Sequence, residues 1–120
     1  MKQRLIIPCE FPDLNSIIDN SKTHWSRYSQ PKKGYNIIVA AYARQQLKPV
    51  DKYPINVTCY WFCKDKRKDP DGISVGVKFI FDGLRKSGII SGDGWAQINS
   101  IHHFFVVDTQ CPRVEVELEY

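Results

Sequence analysis

Four short stretches rich in apolar residues predict β-strands, and in the second and the last of them apolar residues occupy every second position. The segments are RLIIP (4–8), INVTCYWFC (55–63), QINSIHHFFVVD (97–108) and RVEVELEY (113–120). The second segment is partly apolar on both faces, which is typical of a central strand. In the last segment valine, leucine and tyrosine face one side and three glutamates face the other, so we expect the glutamates to line the wet side of a sheet.

The segment KKGYNIIVAAYARQQL, residues 32–47, follows a helical period and predicts the first helix. Pro31 precedes this helix, and the pair Lys48-Pro49 ends it. The polar segment before it, residues 14–30, contains few strong helix formers and predicts a short helix or turn followed by a loop.

A second helix is predicted from Pro70 to Leu84. Successive residues turn by about 100° on a helix, so its apolar side chains gather on one side: Ile73, Val77, Ile80, Phe81 and Leu84. Asp71, Lys78 and Asp82 fall on the opposite side, within about 20° of one line. Glycines weaken the first turns, so we expect this helix to depend on packing.

The order strand, helix, strand, helix, strand, strand predicts a small α+β domain, in which helices pack against a mixed β-sheet. The 120 residues suit one domain over 1–120 with one core. The hydrophobic fraction of 42% and the charged fraction of 25% are ordinary for a folded protein. A net charge of +4 permits a polyanionic partner without requiring one.

The four cysteines predict free thiols rather than a zinc site, because only the adjacent His102 and His103 offer a further close pair of ligands. Neighbouring residues on a strand point to opposite faces, which spoils that pair. No apolar run approaches the roughly 20 residues of a membrane span. The apolar part of the basic N-terminus is only LII, too short for a secretory signal. We therefore expect a cytoplasmic protein without membrane contact.

Three aspartates accompany the second predicted helix: Asp69 and Asp71 at its start, and Asp93 in the turn SGDGW beyond its end. One interpretation is structural, with Asp69 as the N-cap, Asp71 complementing the helix dipole and Asp93 as an ordinary turn residue. The other is a metal site, because Mg²⁺ prefers oxygen ligands and keeps several waters, so two or three carboxylates suffice.

A basic loop directly precedes Asp69 and consists of Lys64, Lys66, Arg67 and Lys68. Such a loop is most often a solvated surface. Beside carboxylates that hold a divalent cation, however, basic side chains that hold phosphates give the arrangement that phosphodiester cleavage needs. Basic and aromatic residues also interleave in the N-terminal region, where they are candidate DNA contacts: Trp25, Arg27, Tyr28, Lys32 and Lys33.

The whole pattern resembles the RusA family of Holliday-junction resolvases. The shared features are D-x-D, a lysine, the block F-D-G-L, a glycine, an acidic turn before a strand, and the N-terminal stretch FPDLNS. The resemblance implies a homodimeric, Mg²⁺-dependent endonuclease that cuts four-way DNA junctions symmetrically. It implies that Asp69, Asp71 and Asp93 are the metal-binding catalytic acids, and that Lys78, aligned through the following F-x-F-D block, is the catalytic lysine.

Two other classes of protein remain open. A non-catalytic DNA-binding protein would use the basic loop 64–68 and would not need the aspartates. A metabolic protein with a structural helix cap would show no preference for branched DNA.

Overall fold

The structure, a computed structural model, describes residues 1–13 and 25–120, and the side chains of all of these except 25–33. Over these residues the chain forms four strands and three helices. The strands are β1 (Lys2–Ile7), β2 (Ile55–Cys63), β3 (Ile98–Val107) and β4 (Arg113–Glu119). The helices are α1 (Trp25–Gln46), α2 (Pro70–Ser74) and α3 (Val77–Lys86).

The four strands form one mixed sheet in the order β1-β4-β2-β3. Strand β4 runs antiparallel to both of its neighbours, whereas β2 and β3 are parallel. This confirms the predicted α+β fold with a mixed sheet, and it confirms that β2 is a central strand. The chain passes from β3 around the end of β2 into β4, so β3 is left at the edge.

The core lies between one face of the sheet and helices α1 and α3. Each central strand contributes its inward residues, because alternate residues of a strand share a face. The fully buried strand residues include Leu5, Ile7, Val57, Cys59, Val116 and Leu118. Helix α1 contributes Val39 and Ala43, and α3 contributes Ile80 and Leu84.

The start of α1 differs from the prediction. The helix begins at Trp25, so Pro31 lies within it rather than before it, and the loop predicted up to residue 30 is wrong for residues 25–30. A proline inside a helix removes its own hydrogen bond and bends the axis without always ending the helix. The rest of that prediction, on residues 14–24, lies outside the described residues.

The second predicted helix is divided into α2 and α3 by Val75 and Gly76. Both residues keep right-handed helical dihedral angles, but the amide of Gly76 donates to the Ile73 carbonyl, and that of Phe79 to the Gly76 carbonyl. These three-residue hydrogen bonds wind the backbone more tightly than an α-helix. The single line expected for Asp71, Lys78 and Asp82 is therefore interrupted between the first residue and the other two.

The row of glutamates on β4 is less exposed than predicted, because β4 lies inside the sheet. Glu115 is buried, and its carboxylate accepts from Arg4 Nε at 2.8 Å and from Arg113 Nε at 2.6 Å. Asp108 and Glu115 raise the pKa of Arg113 above its usual value through hydrogen bonds. Ion pairs thus cover much of the face of the sheet opposite the helices.

All four cysteines are free thiols. Cys59 lies in the core, where burial raises its pKa to about 12. Cys63, four residues later on the same face of β2, is partly exposed. Among the described residues, the helices are too short or too polar to cross a bilayer.

Gly83 tests the packing of α3 on α1. A Cβ at Gly83 would lie 2.5 Å from Val39 Cβ and 2.8 Å from the Asn36 carbonyl oxygen, so the helices would have to separate. We expect Gly83→Ala to lower the free energy of unfolding by about 1–3 kcal/mol, as overpacking does, when measured by urea denaturation.

Gly34→Ala is the matched control, because a Cβ at that position of α1 meets nothing within 4 Å. It should raise stability by about 0.5–1 kcal/mol through helix propensity alone. Equal effects of the two substitutions would contradict the close contact between α1 and α3.

Candidate functional site

Asp69 and Asp71 lie at the start of the short helix α2. Asp69 occupies the N-cap position with φ −80° and ψ 146°, but its side chain makes no capping hydrogen bond. Pro70 is the first helical residue, as predicted, and one oxygen of Asp71 accepts from the amide of Gly72 at 2.9 Å. The capping interpretation therefore explains the position of Asp69 but gives its carboxylate no partner at the helix terminus.

Lys78, in the first turn of α3, joins two acidic side chains. Its ammonium lies 3.2 Å from Asp82 Oδ1, one helical turn ahead, as the spacing predicts. The same ammonium lies 3.9 Å from Asp93 Oδ2, which belongs to the turn beyond α3. The structure thus brings together Lys78 and Asp93, two site residues that are far apart in the sequence.

Arg85 is a fourth member of this group that was missed by the sequence analysis. Its Nη1 lies 3.9 Å from Asp93 Oδ2, so Asp93 stands between two cations. Arg85 follows Lys78 by seven residues, which is two turns of a helix, and this spacing was the signal that places both on one face. The ion-paired group consists of Lys78, Asp82, Arg85 and Asp93, called the α3 cluster below.

The turn that carries Asp93 is held by local contacts. The amides of Gln97 and Ile98 donate to the Gly94 carbonyl at 3.1 and 3.0 Å, which forms a compact turn just before β3. A Cβ on Gly92 would lie 3.1 Å from the side chain of Gln97, so the backbone passes closely here. Asp93 is consequently directed toward α3 and is only a quarter exposed.

The basic loop lies beside α2. Lys64, Lys66 and Arg67 are exposed, and Lys68 is half-buried, with its ammonium 3.4 Å from the Phe11 carbonyl oxygen. Arg67 is paired with Asp65 at 3.6 Å, and its side chain is 87% exposed. Most of the positive charge of this loop therefore faces solvent.

A cleft of about 250 Å³ separates the basic loop from the end of β3. Lys66, Lys68 and Asp69 form its polar side, and Ile73 and Phe105 belong to its apolar side. Asp65 also lines the cleft, so two carboxylates and two ammonium groups lie beside its apolar residues.

Asp69 and Asp93 lie toward opposite ends of β3. Asp69 shares its cleft with residues 105–107, whereas Asp93 shares a shallow depression with residues 98–101. Four residues of strand, from 101 to 105, extend over about 13 Å. Within residues 1–13 and 25–120, no group of three or more His, Cys, Asp or Glu side chains is placed to hold a metal ion. Mg²⁺ binding by Asp69, Asp71 and Asp93 stays a prediction.

The remaining candidate DNA contacts fall on α1. Lys32 and Lys33, together with Trp25, Arg27 and Tyr28, belong to its first turns. Their side chains lie outside the described part of the chain, and the prediction for them stands untested.

Cys63 also lines the cleft beside Asp69. Burial raises the pKa of its thiol, and the carboxylates of Glu10 and Asp65 raise it further, against an opposing effect of Lys68. A thiol with a raised pKa is a poor nucleophile near neutral pH. Cys63 is therefore a poor candidate for a nucleophile in this cleft.

Comparisons with known proteins leave the resemblance to the RusA family as a prediction. A search with family models found no family that matches the chain, and a search of curated proteins found no match.

Asp69 provides a direct test of capping. Replacing a capping aspartate by alanine costs about 0.5–2 kcal/mol. Because the side chain of Asp69 makes no capping hydrogen bond, we expect Asp69→Ala to change the free energy of unfolding by less than about 0.5 kcal/mol. Asp51→Ala, at an exposed position before β2, is the control for loss of an acid. A cost of 1–2 kcal/mol at Asp69 alone would establish the structural interpretation.

Proposed function

We propose that this chain is a Mg²⁺-dependent endonuclease that resolves four-way DNA junctions by paired, symmetric phosphodiester cleavage. The contact between Lys78 and Asp93 carries the proposal, because both residues are assigned to the site by the resemblance to the RusA family. Fifteen positions separate them in the sequence, and their charged groups lie 3.9 Å apart.

The donor set suits Mg²⁺. Asp69, the N-cap residue of α2, and Asp71, in the first turn of that helix, are two positions apart, and the carboxylate of Asp69 makes no capping hydrogen bond. Mg²⁺ is usually bound through one or two carboxylates, with waters and substrate phosphates completing its coordination. Asp69 and Asp71 would hold the ion. Asp93, which the resemblance adds to the ligands, lies toward the other end of β3 in the structure and would have to move toward α2 to share it. When bound, Mg²⁺ would activate a water and stabilise the leaving 3′ oxygen.

Lys78 supplies positive charge next to Asp82 and Asp93. The ion pair with Asp82, whose side chain is only 14% exposed, holds the lysine on a fixed side of α3. An ammonium held in place can stabilise the charge that develops on a phosphoryl group without reorganising. Arg85 adds a second cation at Asp93, so the α3 cluster has charge to offer to a phosphate that approaches it.

The basic loop provides the electrostatic contact with the DNA backbone. Its exposed cations lie beside Asp69 across the cleft, and contacts with phosphates release counterions whatever the base sequence. Symmetric cutting of two strands requires two active sites, hence a two-fold dimer. A cytoplasmic location, where DNA is available, belongs to the same proposal.

A non-catalytic DNA-binding protein is the second candidate. The exposure of Lys64, Lys66 and Arg67 favours it, since these side chains can contact phosphates without help from any acid. In that case the carboxylates would be dispensable.

The proposal is tested with a synthetic four-way junction and a linear duplex of the same sequence, each with Mg²⁺ or with EDTA. We expect paired nicks in the junction only, and only with Mg²⁺. Asp69→Asn and Asp93→Asn should each lower the cleavage rate by more than about 100-fold. Mutation of a residue that only hydrogen-bonds to a metal ligand already costs about 10–100-fold, and loss of a ligand should cost more. Asp51→Asn removes an exposed acid that belongs neither to the basic loop and its cleft nor to the α3 cluster, and this variant should cleave normally.

Other outcomes of this experiment would favour one of the other two classes of protein. Tight binding to the junction without cleavage, equal in Asp69→Asn, would favour the DNA-binding protein. Neither binding nor cleavage would leave a protein with an unrelated activity. Cleavage of the junction by Asp69→Asn at the normal rate would show that another residue carries the chemistry.

A further inference from the structure

The side chain of Trp95 is fully exposed. It belongs to the turn between Asp93 and β3, whose backbone is held by hydrogen bonds from the amides of Gln97 and Ile98 to the Gly94 carbonyl. Tryptophan is a highly buried residue on average, and its flat indole is enriched at binding surfaces. A turn with a fixed backbone thus presents a large aromatic ring to solvent.

The indole is part of a wider apolar surface. Trp95 lines a shallow depression of about 380 Å³, and Asp93, Ile98 and Ile101 line it as well. Ile101 is itself 42% exposed, so the apolar surface continues from the turn onto β3. Asp93 connects this depression to the α3 cluster, because its carboxylate lies 3.9 Å from each of the two cations of that cluster.

The cations of the α3 cluster are more exposed than its acids. The side chains of Lys78 and Arg85 are 55% and 51% exposed. Those of Asp82 and Asp93, with which they pair, are 14% and 25% exposed. The two acids offset part of the positive charge, but an approaching ligand meets the two cations first. This surface therefore favours a ligand of negative charge.

The surrounding helices add positive charge. The sequence of α1 contains no Asp or Glu, and that of α3 contains only Asp82. Lys86, at the end of α3, is exposed, and so is Arg44 of α1, whose Nη2 lies 3.4 Å from the Lys86 carbonyl oxygen. On the sheet, Glu119 lies two strands away from β3 and pairs with Lys2 at 3.3 Å. A polyanion such as DNA therefore fits this end of the molecule better than a protein surface of balanced charge.

We propose that Trp95 stacks on the base face that is exposed at the branch point of a DNA junction, and that Lys78 and Arg85 contact the adjoining phosphates. The inference rests on the proposed function for its substrate and adds the residue that selects the branch point. An aromatic side chain stacks on any base, because every base has a π-face. Inside a linear duplex both faces of each base pair are covered by its neighbours, whereas a branch point interrupts this stack.

Trp95 is placed to hold the branch point at the α3 cluster. Two residues of backbone span at most about 7 Å, so the indole begins within that distance of Asp93. A base stacked on the indole would bring an adjoining phosphate toward Lys78 and Arg85, the cations that pair with Asp93. A linear duplex offers no such base face within its arms and would be held by charge alone. The ring thus distinguishes branched from linear DNA.

DNA binding by the full chain in EDTA tests the inference without cleavage. Trp95→Ala should raise the dissociation constant for a four-way junction at least about fivefold, because loss of stacking on one base weakens binding about 5–150-fold. The dissociation constant for a linear duplex of the same sequence should stay unchanged. Trp95→Phe keeps an aromatic ring and should retain most of the affinity for the junction.

Phe104→Ala is the matched control. It removes an exposed aromatic ring from β3, on the face opposite to Ile101, and should leave both dissociation constants unchanged. Because the side chain of Trp95 is fully exposed, Trp95→Ala should also keep the urea midpoint of the wild-type protein.

Photocrosslinking locates the contact. A junction that carries 5-iododeoxyuridine next to the branch point should crosslink to Trp95 on irradiation, as identified by mass spectrometry of the crosslinked peptide. The same label in the middle of an arm should give no crosslink to Trp95.

The outcomes for the inference and for the proposed nuclease are distinguishable. If Trp95→Ala binds the junction normally, or loses equal affinity for junction and duplex, the inference is overturned, while junction cleavage by the wild-type protein would still support the nuclease. If the wild-type protein binds the junction without cleaving it in Mg²⁺, and the Trp95 results hold, the inference stands and the nuclease fails. Absence of binding to either DNA overturns both.

Two further results would give the indole another partner. Loss of affinity confined to single-stranded DNA of the same sequence would assign Trp95 to unpaired strands and overturn the selection of a branch point. Unchanged DNA binding by Trp95→Ala, together with loss of self-association in sedimentation, would assign the indole to a protein interface and overturn the inference.

Discussion

The indole of Trp61 is the contact on which the arrangement of the candidate site depends. It lies on the central strand β2 and is almost fully buried. A Cβ on Gly76 would lie 2.9 Å from its Cη2 atom, so only glycine lets the backbone pass there. The ring also meets Phe11 edge-on, with 6.1 Å between centroids, and its Nε1–H donates to His103 Nδ1 at 2.9 Å. One side chain thus joins the helical segment, the N-terminal segment and the edge strand.

This contact explains why the acids and the lysine belong to different helices. The backbone tightens where it crosses the indole, so Asp69 and Asp71 lie at the start of α2, whereas Lys78 lies in the first turn of α3. The lysine then meets Asp82 and Asp93 rather than Asp71. The hydrogen bond from Trp61 requires His103 Nδ1 to be unprotonated, and burial together with His102 lowers the pKa of His103. The edge strand is thereby attached to the same core that positions the helices.

The features that were predicted correctly are local. Short apolar stretches predict the four strands, alternation gives the buried face of β2 and β4, and apolar residues on both faces of β2 indicate its central position. The wrong predictions depended on distant residues. The break at Gly76 requires Trp61 beneath it, and the burial of Glu115 requires β1 and β2 on either side of β4. Pro31 failed as a boundary because a helix can continue through a proline.

The candidate site likewise has contacts that local sequence predicts and contacts that it does not. The pair formed by Lys78 and Asp82 follows from helical spacing, and Arg85 could have been found from the same period. The contact of Lys78 with Asp93 could not be derived from spacing, because a turn of unknown shape separates them. The shared role of Asp69, Asp71 and Asp93 came from a family resemblance, and it concerns a state with metal and DNA bound.

The most direct measurement of the central claim is therefore metal binding at named residues. Mn²⁺, a paramagnetic substitute for Mg²⁺, broadens NMR signals of amides close to its site. The account predicts that amides of residues 69–72 and of Asp93 broaden first, that Mg²⁺ restores them, and that Asp69→Asn abolishes the effect. Broadening that is confined to the β4 glutamates, or that is unchanged in Asp69→Asn, would contradict it.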